Sequence, residues 1–134
     1  VLIEDIEAYL NGFTFTSNSV TFAVKRGSLP ETPDAVISLI EAEGMKAVRA
    51  MGPSGAAPLL ERPLLEVHVR SPRKDYEAGR DVAEQVYVKL DHVATTQGGR
   101  AYFLQALAPP FRDGQDKDAR MLFVTPVLVH KPRG

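Results

Sequence analysis

Residues Pro63–Arg70 read PLLEVHVR, and five residues later Asp75–Val93 read DYEAGRDVAEQVYVKLDHV. In the first stretch Leu65, Val67 and Val69 alternate with Glu66, His68 and Arg70, the period of a half-buried strand. In the second, Tyr76, Ala83, Val86, Tyr87, Leu90 and Val93 fall on one stripe at helical spacing, with Glu77, Arg80, Asp81, Glu84 and Lys89 outside it. Asp75 suits the N-cap, and Ser71 ahead of Pro72 is the alternative. One strand and one long helix in direct succession, flanked by further strands, set the fold class as α+β.

Upstream, Leu2–Leu10 is a second helix: Leu2, Ile3, Ile6, Tyr9 and Leu10 share a face, and Glu4 and Asp5 sit where the positive helix N-terminus favours acids. Asn11-Gly12 reads as its stop, since either residue adopts the left-handed cap conformation. Phe13–Ser19 is polar and reads as a turn, and Val20–Arg26 alternates as a strand. Leu29–Pro33 is a loop because its two prolines remove two amide donors. Asp34–Ala42 is nearly continuously apolar and reads as a central strand. Gly44–Arg62, with Gly52-Pro53-Ser54-Gly55-Ala56-Ala57-Pro58 at its middle, reads as a long loop.

Downstream, Gln97-Gly98-Gly99 is a turn and Ala101–Ala108 a strand stopped by Pro109-Pro110. Phe111–Ala119 is a polar hairpin loop, and Arg120–Val129 is the last strand, which Pro126 demotes to an edge, a bulge or a strand end. Lys131–Gly134 reads as a frayed tail. The expected architecture is a single domain over residues 1–134. It has a mixed or mainly antiparallel sheet of about five strands, two helices on one face, and the order α-β-β-β-α-β-β. Residues 44–62 and 111–119 are its long connections.

Composition supports a folded core and removes several chemistries. Of the 134 residues, 37 are Leu, Ile, Val or Phe, well above the ~20% below which chains are usually disordered. With no cysteine there is no disulfide scaffold, thiolate metal site or cysteine nucleophile. No apolar run approaches the ~18 residues of a membrane span, and VLIEDIEAYL carries acids where a secretory signal carries bases, so none is expected. A net charge of −1 gives no bulk attraction to nucleic acid. Basic groups at Lys25-Arg26, at Arg70, Arg73 and Lys74, and at His130, Lys131 and Arg133 are interleaved with acids and lack aromatic stacking partners.

The catalytic inventory is thin. His68, His92 and His130 sit in separate elements without metal-ligand spacing. Gly52-Pro53-Ser54-Gly55 lacks the register of a nucleophile elbow, and Gln97-Gly98-Gly99-Arg100 is no phosphate-binding loop. Asp113, Asp116 and Asp118 do not follow the spacing of a calcium loop. No catalytic residue, cofactor or metal is expected. Glu66, His68 and Arg70 remain as a polar strand face on which a small α+β enzyme or ligand-binding domain would place its site.

Several short motifs recur in a familiar order. They are L-I-E-D-I-x-x-Y-L at Leu2–Leu10, L-P-x-x-P-D at Leu29–Asp34, and R-P-x-x-x-V-x-V-R at Arg62–Arg70. D-Y-x-x-x-R-x-x-A-E-x-V-Y follows at Asp75–Tyr87, and P-F-x-x-G-x-D at Pro110–Asp116. In this order the chain resembles the minor capsid or tail-terminator (head–tail joining) family of long-tailed bacteriophages. The resemblance implies a non-enzymatic virion protein that forms a ring, usually of six subunits, on the end of the tail tube. Such a ring ends tail polymerisation, meets the head-completion or connector protein, and lets DNA pass without sequence-specific binding or any membrane. It implies the head–tail joint as location, after assembly in the host cytoplasm. A neck or head-completion protein on the portal side is the neighbouring alternative. Ring contacts of head-to-tail type would draw on the two long connections, through Met51, Gly52, Pro53, Ser54, Gly55, Phe111, Arg112, Asp113 and Lys117.

Overall fold

The alternation at Pro63–Arg70 forms the middle of a longer strand, and the chain folds around it. The computed structural model describes residues 2–27, 29–30, 33–49, 58–116 and 118–132, with side chains outside 42–49, 58–61 and 132. Its elements are α1 (Leu2–Asn11), β1 (Thr16–Ser17), β2 (Val20–Thr21), β3 (Ala23–Arg26), β4 (Val36–Arg49), β5 (Pro58–Arg70), α2 (Tyr76–Leu90), β6 (Val93–Gln97), β7 (Arg100–Ala106), β8 (Phe111–Gln115) and β9 (Met121–Pro132). Seven strands make one mixed sheet in the order β3-β4-β5-β9-β7-β6, with β8 added to β9. Only the β3–β4 pair is parallel. The class is α+β, as expected, with more strands than the five anticipated.

Register explains why both helices share one face. Ile37 lies opposite Val69 and Leu39 opposite Val67, while Val69 faces Phe123 and Leu65 faces Val127. Leu104 lies opposite Val129. These residues form one continuous apolar layer. Onto it α1 brings Ile6 and Leu10, and α2 brings Ala78, Val82, Ala83, Val86 and Leu90, all buried. Burying each large aliphatic side chain stabilises the fold by roughly 1.5–3 kcal/mol.

Several expectations are corrected. Of the expected loop 44–62, residues 44–49 and 58–62 are strand: β4 runs on to Arg49 and β5 begins at Pro58, paired through Met45↔Arg62, Val48↔Leu60 and Arg49↔Pro58, while residues 50–57 lie outside the described residues. Register shifts between Ala42 and Arg49 absorb Gly44 and the broken alternation. Residues 111–119 are not all loop, because Phe111–Gln115 pairs with β9 as β8. The turn at Phe13–Ser19 contains β1, whose hairpin with β2 closes through Asn18 and Ser19, both at positive φ. The second helix ends at Leu90, because Asp91 is extended and His92 left-handed, and Val93 opens β6. Asp75 is the N-cap, accepting from the Ala78 amide at 3.2 Å. Neither Asn11 nor Gly12 takes a left-handed cap; the turn closes by amides of Gly12 and Phe13 donating to the carbonyls of Tyr9 and Leu10. Lys131 and Pro132 belong to β9, not to a frayed tail.

Pro126 gives the clearest correction. It lies inside an interior strand, between β5 on one side and β7 and β8 on the other. β8 pairs with Met121–Val124 and β7 with Val127–His130, so Pro126 falls in the gap between them. Its carbonyl accepts from the Leu107 amide at 2.9 Å, so its N–H-less nitrogen faces that same gap. The missing donor costs no ladder bond there.

Two close approaches lock the helices to the sheet. A β-carbon at Gly79 would lie 2.5 Å from Ser71 Cβ and 3.1 Å from Phe123 Cε2. The Tyr102 hydroxyl donates to Asp5 on α1, beside Arg100 at 3.7 Å from the same carboxylate. Burial, then the Asp5 hydrogen bond and charge, push the Tyr102 phenol from 10.0 up to about 12.

Gly79→Ala will destabilise the protein by about 1–3 kcal/mol in urea unfolding, the cost of overpacking, although alanine is the better helix former. The folded state holds the Tyr102 proton more tightly than the unfolded chain. Its contribution is complete below pH 10 and is lost as pH rises from about 10 to about 12. Tyr102→Phe will flatten this alkaline loss of thermal stability and remove the highest step from the ultraviolet titration of the tyrosines.

Candidate functional site

Met51–Gly55 and Lys117 lie outside the described residues. Phe111, Arg112 and Asp113 are on β8, drawn into a strand by Phe111↔Val124 and Arg112↔Phe123 pairing. Gly114, at φ +107°, sits at the register shift that follows. Opposite residues share a face, so Phe111 lies on the side of the sheet away from the helices and is 47% exposed. Arg112 lies on the helix side. With Tyr76, Arg80, Glu84, Pro110 and Phe123 it lines a groove of about 280 Å3 between α2 and β8.

Glu66, His68 and Arg70 do share one face of β5, but they do not form one site. His68 Nε2 and Glu66 Oε1 are 3.1 Å apart and pair with each other. Arg70 is 3% exposed and turned to structure: its Nε donates to the Asp34 carbonyl at 2.9 Å and its Nη2 to the Pro33 carbonyl at 2.7 Å. It thereby holds the double-proline loop against the start of β4.

Beside it lies the strongest electrostatic cluster among the described residues. The Arg120 side chain, 4% exposed, reaches three carboxylates: Asp116 at 2.7 Å, Asp34 at 3.0 Å and Asp118 at 3.2 Å. Asp116 Oδ1 also accepts from the amides of Asp118 and Arg120, closing the turn between β8 and β9. Burial alone would raise the Asp116 carboxyl, but these amide bonds and the Arg120 guanidinium overcome it and hold the carboxyl below its usual value. Asp116 and Asp118, read from sequence as solvated loop acids, are thus partners of a buried arginine. The two aspartates that end L-P-x-x-P-D and P-F-x-x-G-x-D meet there.

Apolar side chains are exposed at more than one place on the surface. On the helix side, Phe13 and Val88 (36% and 65% exposed) line a groove of about 390 Å3 with Phe15, Gln85 and Lys89. The Lys89 Nζ stands 4.5 Å from the Phe13 ring centre. Elsewhere, Phe103, Leu107 and Phe111 are 39%, 51% and 47% exposed. Phe103, opposite His130, points away from the helices and has the His92 and His130 rings 6.2 and 5.7 Å away. Sequence reading missed Phe13, Val88, Phe103 and Leu107. Val88 carried a signal, an apolar residue on the polar face of the helix; Phe13 read as part of a turn and Leu107 as part of the strand Ala101–Ala108.

Among the described residues no cluster of His, Asp and Glu is arranged to hold a metal ion. No helix among the described residues is long and apolar enough to cross a membrane.

The family model described as "Bacteriophage tail terminator protein" matches residues 8–128, nearly the whole chain. No curated protein sequence matches it. One solved structure, whose name states no function, is similar at 14% sequence identity. The match has a TM-score of 0.55 over 83% of this chain and 79% of that one, a likeness of fold.

Arg120→Met will destabilise the protein by about 1.5–3 kcal/mol, the loss of charge-assisted hydrogen bonds to partly exposed carboxylates. Asp116 is held below its ordinary value, so its contribution is present above the carboxylate range and is lost as pH falls through that range. Asp116→Asn will make the acid limb of the thermal-stability profile shallower; an unchanged limb would show that the acid transition is set elsewhere.

Proposed function

The chain belongs to the bacteriophage tail terminator protein family, and from that premise we propose that it closes the end of the phage tail as a ring of six copies. In this reading it plays a structural part in the tail. It stops growth of the tail tube, whose protein is one partner, and presents its other surface to the head-completion or connector protein. DNA passes through the ring without sequence-specific contact. The protein resides in the virion at the head–tail joint after assembly in the host cytoplasm, acts without a membrane, and catalyses nothing.

The family match carries the reading, and the surface supports it. Apolar side chains stand exposed on different parts of the subunit, Phe13 and Val88 at one groove and Phe103, Leu107 and Phe111 at separate points elsewhere. A head-to-tail contact requires two unlike patches, each buried by the neighbouring copy. A near-neutral net charge of −1 also suits a conduit, since strong phosphate neutralisation would hold the DNA in place.

Light scattering over a concentration series, with and without purified tail tubes, tests this. Six copies of a 14.7 kDa chain give a discrete species near ~88 kDa. Tail tubes polymerised with the protein present will stop at defined ends that carry it, visible by labelled electron microscopy. Label found at the portal rather than on tail ends would move the protein to the neck.

A further inference from the structure

We propose that the sheet continues from one copy of the chain to the next, the open edge of β6 pairing with the uncovered stretch of β4 in its neighbour. This rests on the ring reading and specifies the contact that would build it.

The sheet ends differently on its two sides. On one side β3 covers β4 only from Val36 to Leu39. From Ile40 to Arg49, β4 has a strand partner on its β5 side alone, among the described residues. On the other side β6 pairs only with β7, in unbroken register from Val93↔Leu104 to Gln97↔Arg100. The two-residue turn at Gly98-Gly99, both at positive φ, makes Gln97↔Arg100 a hydrogen-bonded pair. Alternation then directs the amides and carbonyls of Ala94 and Thr96 away from β7, and no other described group receives them.

Edges of this kind are normally blunted by charge, proline or a bulge. β6, with the sequence VATTQ, has none of the three, so nothing in it discourages a further strand. The free part of β4 has two: its sequence carries Glu41, Glu43, Lys46 and Arg49, and its register shifts repeatedly. A permissive edge and a selective edge at opposite ends of one sheet favour pairing with each other over pairing with themselves. Unlike edges repeated about an axis give a ring where the rotation closes and a filament where it does not, and strand addition gives the contact its main-chain hydrogen bonds.

The chain has no cysteine, so introduced thiols report the contact cleanly. Thr96→Cys is combined with a single cysteine at Ile40, Glu41, Ala42 or Glu43, and each double variant is oxidised with tail tubes present. Within one copy β5, β9 and β7 separate the two strands, and a disulfide closed inside one chain would leave the mass at that of a monomer. The expected result is a ladder of covalent oligomers for at least one pair. A second variant, Ala94→Pro, removes an outward N–H and keeps the ladder to β7. It will unfold at the wild-type temperature yet need roughly tenfold or more protein to assemble.

Rings of wild-type mass from Ala94→Pro at wild-type concentration, with no ladder from any pair, would overturn this contact and leave the ring standing. Thr96→Cys alone trapped as a dimer would overturn it in favour of a twofold β6–β6 pair. A wild-type chain that stays monomeric with tail tubes present would remove the ring and this contact together. If Ala94→Pro fails to fold, the cysteine pairs decide.

Discussion

The buried guanidinium of Arg120 ties together distant parts of the chain, with the exposed Arg73 reaching two of the same carboxylates at 3.9 Å. Its carboxylate partners come from the loop before β4 and from the turn between β8 and β9. Arg70, buried alongside, holds the carbonyls of Pro33 and Asp34. Between them the two arginines set where β4 starts relative to β5 and where β8 turns back into β9. An ion buried this deeply stabilises little on balance, because desolvation offsets much of the attraction. Its effect is geometric: one buried guanidinium holds carboxylates from two segments at fixed positions around it.

The parts of the fold legible in the sequence are those where one residue period runs unbroken. α1, the second half of β5 and the body of α2 each bury a single face, and alternation or helical spacing reveals them directly. The parts that were not legible are those where pairing, not local pattern, decides. Gly44–Arg49 and Pro58–Pro63 hold a glycine, two prolines and no clean period, yet they pair as the ends of β4 and β5. FRDGQ is as polar as a loop and becomes β8 because β9 offers it an edge. Pro126 misleads for the same reason: its position in the ladder matters, and that depends on where two other strands stop.

The same division holds for the functional surface. Phe111 and Arg112 were singled out as contact residues on a loop, whereas the structure puts them on opposite faces of a strand, one toward the groove beside α2 and one away from it. Glu66, His68 and Arg70 share a face, but Arg70 is committed to the loop ahead of β4. Exposure of Phe103 and Leu107 depends on which strand lies beside β7, information the linear sequence does not hold. The aspartates of two short motifs looked unrelated until Arg120 joined them.

The strand order has a consequence for how the protein is made. β9 lies between β5 and β7, so the sheet is two separate pieces until β9 arrives. One piece is β3-β4-β5 and the other the β6–β7 hairpin, and among the described strands β9 is the last to leave the ribosome. Each piece waits with an apolar face and an unpaired edge. Such waiting states are slow to resolve and prone to wrong association, because the joining contacts span long stretches of chain. A nascent chain of this protein therefore cannot become a stable subunit by degrees; it acquires a continuous sheet in a single late event.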